Sequence, residues 1–595
     1  MMKEKIVPSA EILSAQLDEW AAAVLGKDFR FREYQKELAV NILQSMFSGI
    51  KYYIVQCPTG FGKSFLAFAV AGVLSTVYGK RGYILCSDLS LTKQYSDDLD
   101  RYLPEWGNLM GQNNYMCDVN GLPFKSGVCR LSGCKSYYEI QRNYPECASA
   151  CEYLIRRAKA ISSPVTVCTY QQWLVQQQNI VRRKLGDGAP FGPRDFVICD
   201  EAHNVMDIVQ SQFSPKFDKF DMRKIDDIID SAVLLRCGKD EIRVKIRSAR
   251  DRVTAADGND MVFAALNDYV SAVGELLPDA EAVKLSLGRK SADRRLDKSE
   301  RKLMSAADFV IDHADSFTEY IRIIKNAGVD SMIKNDSAGG GSVTFNCINE
   351  SYLMARAFHA NVGAGLFMSA TIGDPAAFAR ELDIRPDQYR YAFVPSTFDF
   401  TRSPINYVPT YKMNYAGKDA AFPRILSMVE RIVAAHPDEQ GIIQTGNYSV
   451  ASKIMESASP AVRRRLLSYV DSTTKQDALD MFKRGGGNMV LVGPTLLEGI
   501  DLRDDFCRFQ IIFKIPYPSL ADKYTKAKME HDRSWYSNKT ALSILQGVGR
   551  SVRSKDDWAV TYVLDGCFDG LLRQAGGMFG NDFMSRIRRI DESAV

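Results

Sequence analysis

Residues 52–64, YYIVQCPTGFGKS, join a short β-branched and aromatic run to a glycine loop ending in Lys63 and Ser64. Gly60 and Gly62 let successive backbone N–H groups, with Thr59 in the same loop, converge on one point, a cradle for phosphate oxygens. Lys63 could then reach the β- and γ-phosphates of ATP, and the Ser64 hydroxyl could ligate Mg2+. The loop departs from the GxxxxGKS pattern at one position, where Cys57 replaces the first glycine. The bland alternative is a glycine turn with an incidental lysine. The preceding strand and the apolar stretch of helical length at 65–78 favour the nucleotide reading.

A second apolar run, FVIC at 196–199, leads into Asp200-Glu201-Ala202-His203. A carboxylate at the C-terminal end of a parallel strand lies where doubly wound sheets bind ligands. Asp200 could hold Mg2+ and Glu201 could polarise the attacking water, with His203 beside them. Four letters alone are a weak signal; following the glycine loop and preceded by a strand, they become a strong one. Ser369 and Thr371 follow the strand GLFM, where hydroxyls could couple the nucleotide site to a ligand path.

A second set of short apolar strands begins at 441: GIIQTG, NMVLVG (488–493), FQIIFKI (509–515) and WAVTYVLD (558–565). TLLEGIDL supplies Gly499 and Asp501 as candidate nucleotide contacts. Between the last two strands lies Gln546-Gly547-Val548-Gly549-Arg550-Ser551-Val552-Arg553. Arg550 and Arg553, three residues apart, would share one face of a helical turn and could reach a γ-phosphate across a cleft. A solvated basic turn is the alternative, and the glycine loop upstream tips the balance toward catalysis.

These loops need rigid supports. Alternating strands and helices in each half predict an α/β protein of two parallel-sheet domains. A chain of 595 residues, 46% hydrophobic and 25% charged, fits several globular domains. No apolar run approaches the ~18 residues of a membrane span, and MMKEKIVPSAEIL lacks a secretory h-region. A cytoplasmic setting is the expectation. Lys+Arg 76 against Asp+Glu 72 is not the balance of a protein that coats nucleic acid, but it permits a locally basic groove.

Thirteen cysteines in a reducing compartment argue against disulfides. Cys117, Cys129, Cys134, Cys147 and Cys151 are spaced x11, x4, x12 and x3. Four thiolates would hold a [4Fe–4S] cluster. A four-cysteine zinc site and buried unliganded thiols are the alternatives.

The ordered set CPTGFGKS, DEAH, SAT, TLLEGIDL and QGVGRSVR resembles the superfamily 2 helicases. GQNNYMC (111–117), CEYLIRRAKAISSPVTVCTYQQWL and PYPSLADKY (516–524) narrow the resemblance to the XPD/DinG branch. That resemblance covers most of the chain from about residue 30 and is weakest over 206–342. It implies two RecA-like motor domains, the first carrying an Fe–S insert and a helical arch, and 5′→3′ movement on single-stranded DNA. It also implies a glutamine upstream of the glycine loop that reads adenine, a place matched by Gln35 with Arg32. Cys117 and Cys151 match the family's cluster positions best.

The expected layout is a first motor domain at 1–110, 156–205 and 343–400, an Fe–S insert at 111–155, an arch at 206–342 and a second motor domain at 401–595. Basic runs at 243–252 and 289–298 read as solvated helix faces by default. NDSAGGGS (335–342) reads as a return linker, after which VTFNCI re-enters the first motor domain.

The expectation is a monomeric helicase that uses ATP, Mg2+ and a [4Fe–4S] cluster to unwind tailed duplex DNA from a single strand. The rival is a nucleic-acid-stimulated ATPase that remodels protein complexes without unwinding. A nuclease-helicase is disfavoured because only about thirty residues precede Arg32, fewer than a domain needs.

Overall fold

The computed structural model describes residues 7–595 apart from 132–136, 182–190, 232–237, 337–341, 397–399, 470, 472–473, 486, 498–503 and 550–556. Short apolar runs become strands covered on both faces. They are β1 (Tyr52–Gln56), β2 (Gly82–Cys86), β3 (Gly107–Leu109), β4 (Val165–Thr169) and β5 (Arg194–Cys199). Their nearly unbroken burial is the pattern of a parallel sheet under helices. A long excursion contributes β6 (Lys216–Asp218), β7 (Met332–Asp336) and β8 (Ser342–Cys347). The chain then returns as β9 (Val362–Ser369) and β10 (Tyr389–Phe393).

The first sheet runs β10-β1-β9-β5-β2-β4-β3, with every neighbouring pair parallel. Arg194 ties the N-terminal ends of β2, β4 and β5 together. Its guanidinium donates to Gly82 O at 2.8 Å, Thr166 Oγ1 at 3.1 Å and Ala160 O at 2.9 Å, and lies 4.2 Å from the Tyr83 ring centre.

The second sheet is built from β11 (Ile405–Tyr407), β12 (Gly441–Gln444), β13 (Leu466–Ser468), β14 (Val490–Gly493), β15 (Phe509–Ile512), β16 (Val560–Val563) and β17 (Ile587–Arg589). It is also parallel throughout, in the order β13-β14-β12-β15-β16-β11-β17. Two RecA-like parallel-sheet domains are therefore present, as the motifs required. A glutamine at the end of an inner strand performs the same task in each. Gln56 Oε1 accepts from Ile372 N at 3.0 Å and Gly373 N at 2.9 Å, and Gln444 Oε1 accepts from Leu496 N at 2.9 Å. Each side chain thus pins the loop that follows a neighbouring strand.

The excursion after DEAH is mostly helical: Asp221–Ser231, Lys239–Ala255, Asn259–Gly274, Leu277–Asp293 and Lys298–Ala327. Asp297 and Glu300 form a capping box that starts the last and longest of these. Both basic runs carry ion pairs. Arg243 and Arg247 meet Asp226, Lys245 meets Glu275, Arg252 meets Asp268, and Lys290 and Arg294 meet Glu300.

VTFNC does not join the motor sheet at once: as β8 it pairs antiparallel with both β6 and β7. NDSAGGGS accordingly connects two paired strands, with 337–341 outside the described residues. Polar residues such as Lys334, Asn335, Ser342 and Thr344 mask the alternation that would mark these strands in the sequence.

Residues 111–162 form an insert of short helices (Val128–Leu131, Tyr137–Asn143, Pro145–Ala150) leading into Glu152–Ser162. It touches the helical excursion through Ser126 Oγ to Asp308 Oδ2 at 3.1 Å and through the Lys125–Asp312 ion pair. No helix among the described residues is long and apolar enough to cross a membrane.

Candidate nucleotide site

The order of the first sheet brings three motif loops side by side. β9 lies between β1 and β5, so the glycine loop, the SAT segment and DEAH leave adjacent strands at one edge. The helix Lys63–Thr76 starts on Gly62, which has φ +90°; Gly60 has φ +79°. Both need the left-handed region that glycine enters without steric cost. Gly62 is also crowded, since an added Cβ would lie 2.6 Å from Gln35 Nε2.

Gln35 and Arg32 grip this loop from below. Gln35 Nε2 donates to Phe61 O at 2.5 Å, its Oε1 accepts from Arg32 N at 2.8 Å, and the Arg32 guanidinium donates to Gly60 O. Tyr34, just before the helix Gln35–Phe47, sits at φ +64°. The Gln35 amide retains a second N–H and a second lone pair, the complement of an adenine edge.

Lys63 is nearly buried, and its ammonium lies 3.4 Å from Glu201 Oε1. Burial alone would lower its pKa, but Glu201 and Asp200 outweigh that and hold it above the ordinary lysine value. Asp200 is buried: Oδ1 accepts from Glu201 N at 2.9 Å and Oδ2 from Tyr95 OH at 2.9 Å. Burial, reinforced by the Glu201 charge and opposed by Lys63, pushes the Asp200 carboxyl up to about 6. Cys57, at the variant first position of the loop, is fully buried and donates its backbone N–H to Ser369 O at 3.0 Å.

Glu201 adopts φ +49°, unusual for a residue with a Cβ and held at a cost on the order of 1–3 kcal/mol. That turn aims its carboxylate at two groups: Lys63, and His203 Nδ1 at 3.4 Å. His203 Nδ1 also lies 2.8 Å from Ser369 Oγ, which accepts from Thr371 N at 3.2 Å. DEAH and SAT are thus joined directly. The arrangement combines a buried carboxylate, a hydroxyl at a helix start, a cation and a second carboxylate, a donor set suited to Mg2+ and a triphosphate.

Sequence reasoning missed Tyr95, Tyr170 and the two strand-end glutamines. Tyr170 OH donates to Asp200 O at 3.0 Å. Tyr95 lies in a stretch without a motif, whereas Gln56, Tyr170 and Gln444 lie within the motif and strand segments, and only the folded chain brings the four side chains to these loops.

On the second domain, Gln546 is buried near the end of the helix Arg533–Val548. Gly547 packs so close to Leu497 that a Cβ would lie 2.2 Å from Leu497 Cδ2. Gly499, Asp501, Arg550 and Arg553 lie outside the described residues. The two domains meet across a cavity of about 680 Å³ lined in part by His203, Glu381 and Trp535. Trp535 Nε1 donates to Glu381 Oε1 at 3.2 Å, and Lys539 pairs with Asp207 at 2.5 Å. Buried Lys528 pairs with Glu350, which also accepts from Tyr524 OH at 3.1 Å.

In the cysteine insert, Cys147 and Cys151 are one helical turn apart, with Cys151 N donating to Cys147 O at 2.9 Å. Burial raises both thiols, and the nearby Cys117 raises each further. Cys129 is buried, and Cys134 lies outside the described residues. Among the described residues, no group of three or more His, Cys, Asp or Glu side chains is gathered closely enough to hold a metal ion.

Comparison with known proteins follows the same order of motifs. Residues 28–237 match the model "Type III restriction enzyme, res subunit", and 429–575 match "Helicase C-terminal domain". The Escherichia coli K12 protein "ATP-dependent DNA helicase YoaA" is 22% identical over 605 residues, covering 90% of this chain and 91% of that one. The Haemophilus influenzae protein of the same name is 20% identical over 625 residues, with 91% of each chain covered. Among solved structures, an XPD helicase superposes with a TM-score of 0.61 at 14% identity, over 94% of this chain and all of that one. The Xpd4 structure of S. tokodaii gives 0.58 at 14%, with the same coverage.

Proposed function

Because the chain is an XPD/DinG-like helicase of superfamily 2, we propose that it hydrolyses ATP between its motor domains and thereby moves 5′→3′ along single-stranded DNA, parting the duplex ahead. The observation that carries this reading is the joining of Lys63, Asp200, Glu201, His203 and Ser369 across three adjacent strand ends. Loop backbone from Thr59 to Gly62 and the Lys63 ammonium receive the phosphates, and Arg32 and Gln35 face the adenine. Ser64 and Asp200 would hold Mg2+, which would neutralise phosphate charge. Glu201 takes the proton of the attacking water. Gln546, Gly499, Asp501, Arg550 and Arg553 approach from the second domain as the cleft closes, and the two arginines stabilise charge on the γ-phosphate.

The His203–Ser369 contact gives this site a route to the rest of the first domain, since the loop after Ser369 is held by Gln56 and touches the second domain where Asp374 N donates to Met578 Sδ at 3.1 Å. Grip on the strand would come chiefly from its phosphates, so it would be salt-sensitive and almost blind to sequence.

Four of Cys117, Cys129, Cys134, Cys147 and Cys151 would hold a [4Fe–4S] cluster as a staple for an insert with a thin core. The gathering of these five cysteines within 35 residues of the sequence supports this choice. The protein would act as a monomer in the cytoplasm of a bacterial or phage-infected cell.

The test is ATP hydrolysis by anaerobically purified protein with and without single-stranded DNA, with iron and zinc quantified on the same sample. Stimulation by the strand, its loss in Lys63→Ala and about four irons per chain are expected. Hydrolysis indifferent to DNA would overturn the motor, and zinc in place of iron would overturn the cluster.

A further inference from the structure

Tyr95 lies in the helix Leu89–Tyr102, whose sequence LSLTKQYSDDLDRY carries no motif that the nucleotide reading uses. Its ring is fully buried, edge-on to Phe68 of the helix Lys63–Thr76, with ring centres 5.4 Å apart. Packing alone would be served by phenylalanine. A hydroxyl placed there without a partner would be unfavourable.

The hydroxyl's partner is informative. It donates to Asp200 Oδ2 at 2.9 Å. The phenol thus holds one of the two side chains assigned to the magnesium of ATP. With Oδ1 held by Glu201 N at 2.9 Å, both oxygens of Asp200 are fixed in direction.

We infer that Tyr95 is a positioning residue for magnesium: it sets the Asp200 carboxylate in coordinating orientation before nucleotide arrives. It touches neither substrate nor reacting atoms. The inference rests on the assignment of Asp200 to the metal.

The experiment uses the full chain and reads metal binding, not turnover. Mn2+ is titrated into the ADP complex and followed by electron paramagnetic resonance for wild type, Tyr95→Phe, Asp200→Asn and the double variant carrying both changes. Metal-free ADP binding and thermal melting are recorded alongside. Tyr95→Phe keeps the ring, so melting and metal-free ADP binding should stay near wild type. Loss of a hydrogen bond to a charged group should weaken Mn2+ binding roughly tenfold or more. Because Tyr95 acts through Asp200, the double variant should lose less than the product of the single losses. Mn2+ affinity within twofold of wild type in Tyr95→Phe, or fully multiplicative losses, would overturn the inference. Unchanged Mn2+ affinity in Asp200→Asn would instead overturn the metal assignment beneath it.

Discussion

The Lys63 ammonium stands 3.4 Å from the Glu201 carboxylate, so in the proposed mechanism the cation that would receive phosphate is paired, before nucleotide arrives, with the residue that would activate water. A γ-phosphate entering the loop competes for Lys63 and releases Glu201. Glu201→Gln should therefore leave ATP binding intact while slowing hydrolysis by roughly 10²–10⁴. Nucleotide affinity and single-turnover hydrolysis check this; a variant that hydrolyses at the wild-type rate would remove Glu201 from the chemistry.

The contacts across the cleft differ in weight. Lys528 is 5% exposed, lies 4.8 Å from the Trp535 ring centre and pairs with Glu350, whereas Lys539 and Asp207 form a partly exposed pair. Exposed pairs contribute about 0–1 kcal/mol, but stranding one member of a buried pair costs about 3–5 kcal/mol. Lys528→Ala should loosen the two domains, seen as a broadened interdomain distance distribution by fluorescence transfer between labels. Lys539→Ala should leave that distribution unchanged. Equal effects from the two would show that burial does not rank these contacts.

His313 is the third case. It is buried in the helical excursion among Phe217, Phe309 and Phe317, with Nε2 2.9 Å from Tyr269 OH. Burial, with Arg250 and Lys224 nearby, lowers its pKa from 6.5 to about 3. The folded value lies below the unfolded one, so the stabilisation is complete above about pH 6.5. As pH falls from there toward 3, the unfolded chain takes up a proton that the folded chain refuses, and stability drops by about 1.4 kcal/mol per pH unit. Hydrogen exchange of the helix Lys298–Ala327 should quicken between pH 7 and 5, after correction for intrinsic rates. His313→Gln should flatten that dependence; the same slope in the variant would assign it to other groups.

The parts of this molecule legible in its sequence are those where chemistry and backbone demand the same residues. Gly60 and Gly62 are needed both for positive φ and for phosphate approach, and Asp200 follows a strand whose burial is visible as FVIC. The order of the sheet was not legible, because β1 pairs with strands some three hundred residues later, and nothing local to 52–56 selects them. NDSAGGGS reads as a linker because the ends of β7 and β8 beside it are polar, while their buried Met332, Phe345 and Cys347 lie away from it. Tyr95 was invisible because its value lies in one hydroxyl of a buried ring. Asp565 was hidden for a similar reason: its carboxylate gathers Met413 N, Ile515 N and Cys567 N, each at 2.9 Å, from three separate segments of the second domain.

The central claim is that ATP hydrolysis at Lys63 and Glu201 drives separation of DNA strands, and strand displacement on paired tailed duplexes tests it most directly. With ATP and Mg2+, the wild-type protein should unwind a duplex bearing a 5′ single-stranded tail and do poorly with the matched 3′ tail, while Lys63→Ala should unwind neither. DNA-stimulated hydrolysis with no displacement of either duplex would contradict the account and make the protein a remodelling ATPase.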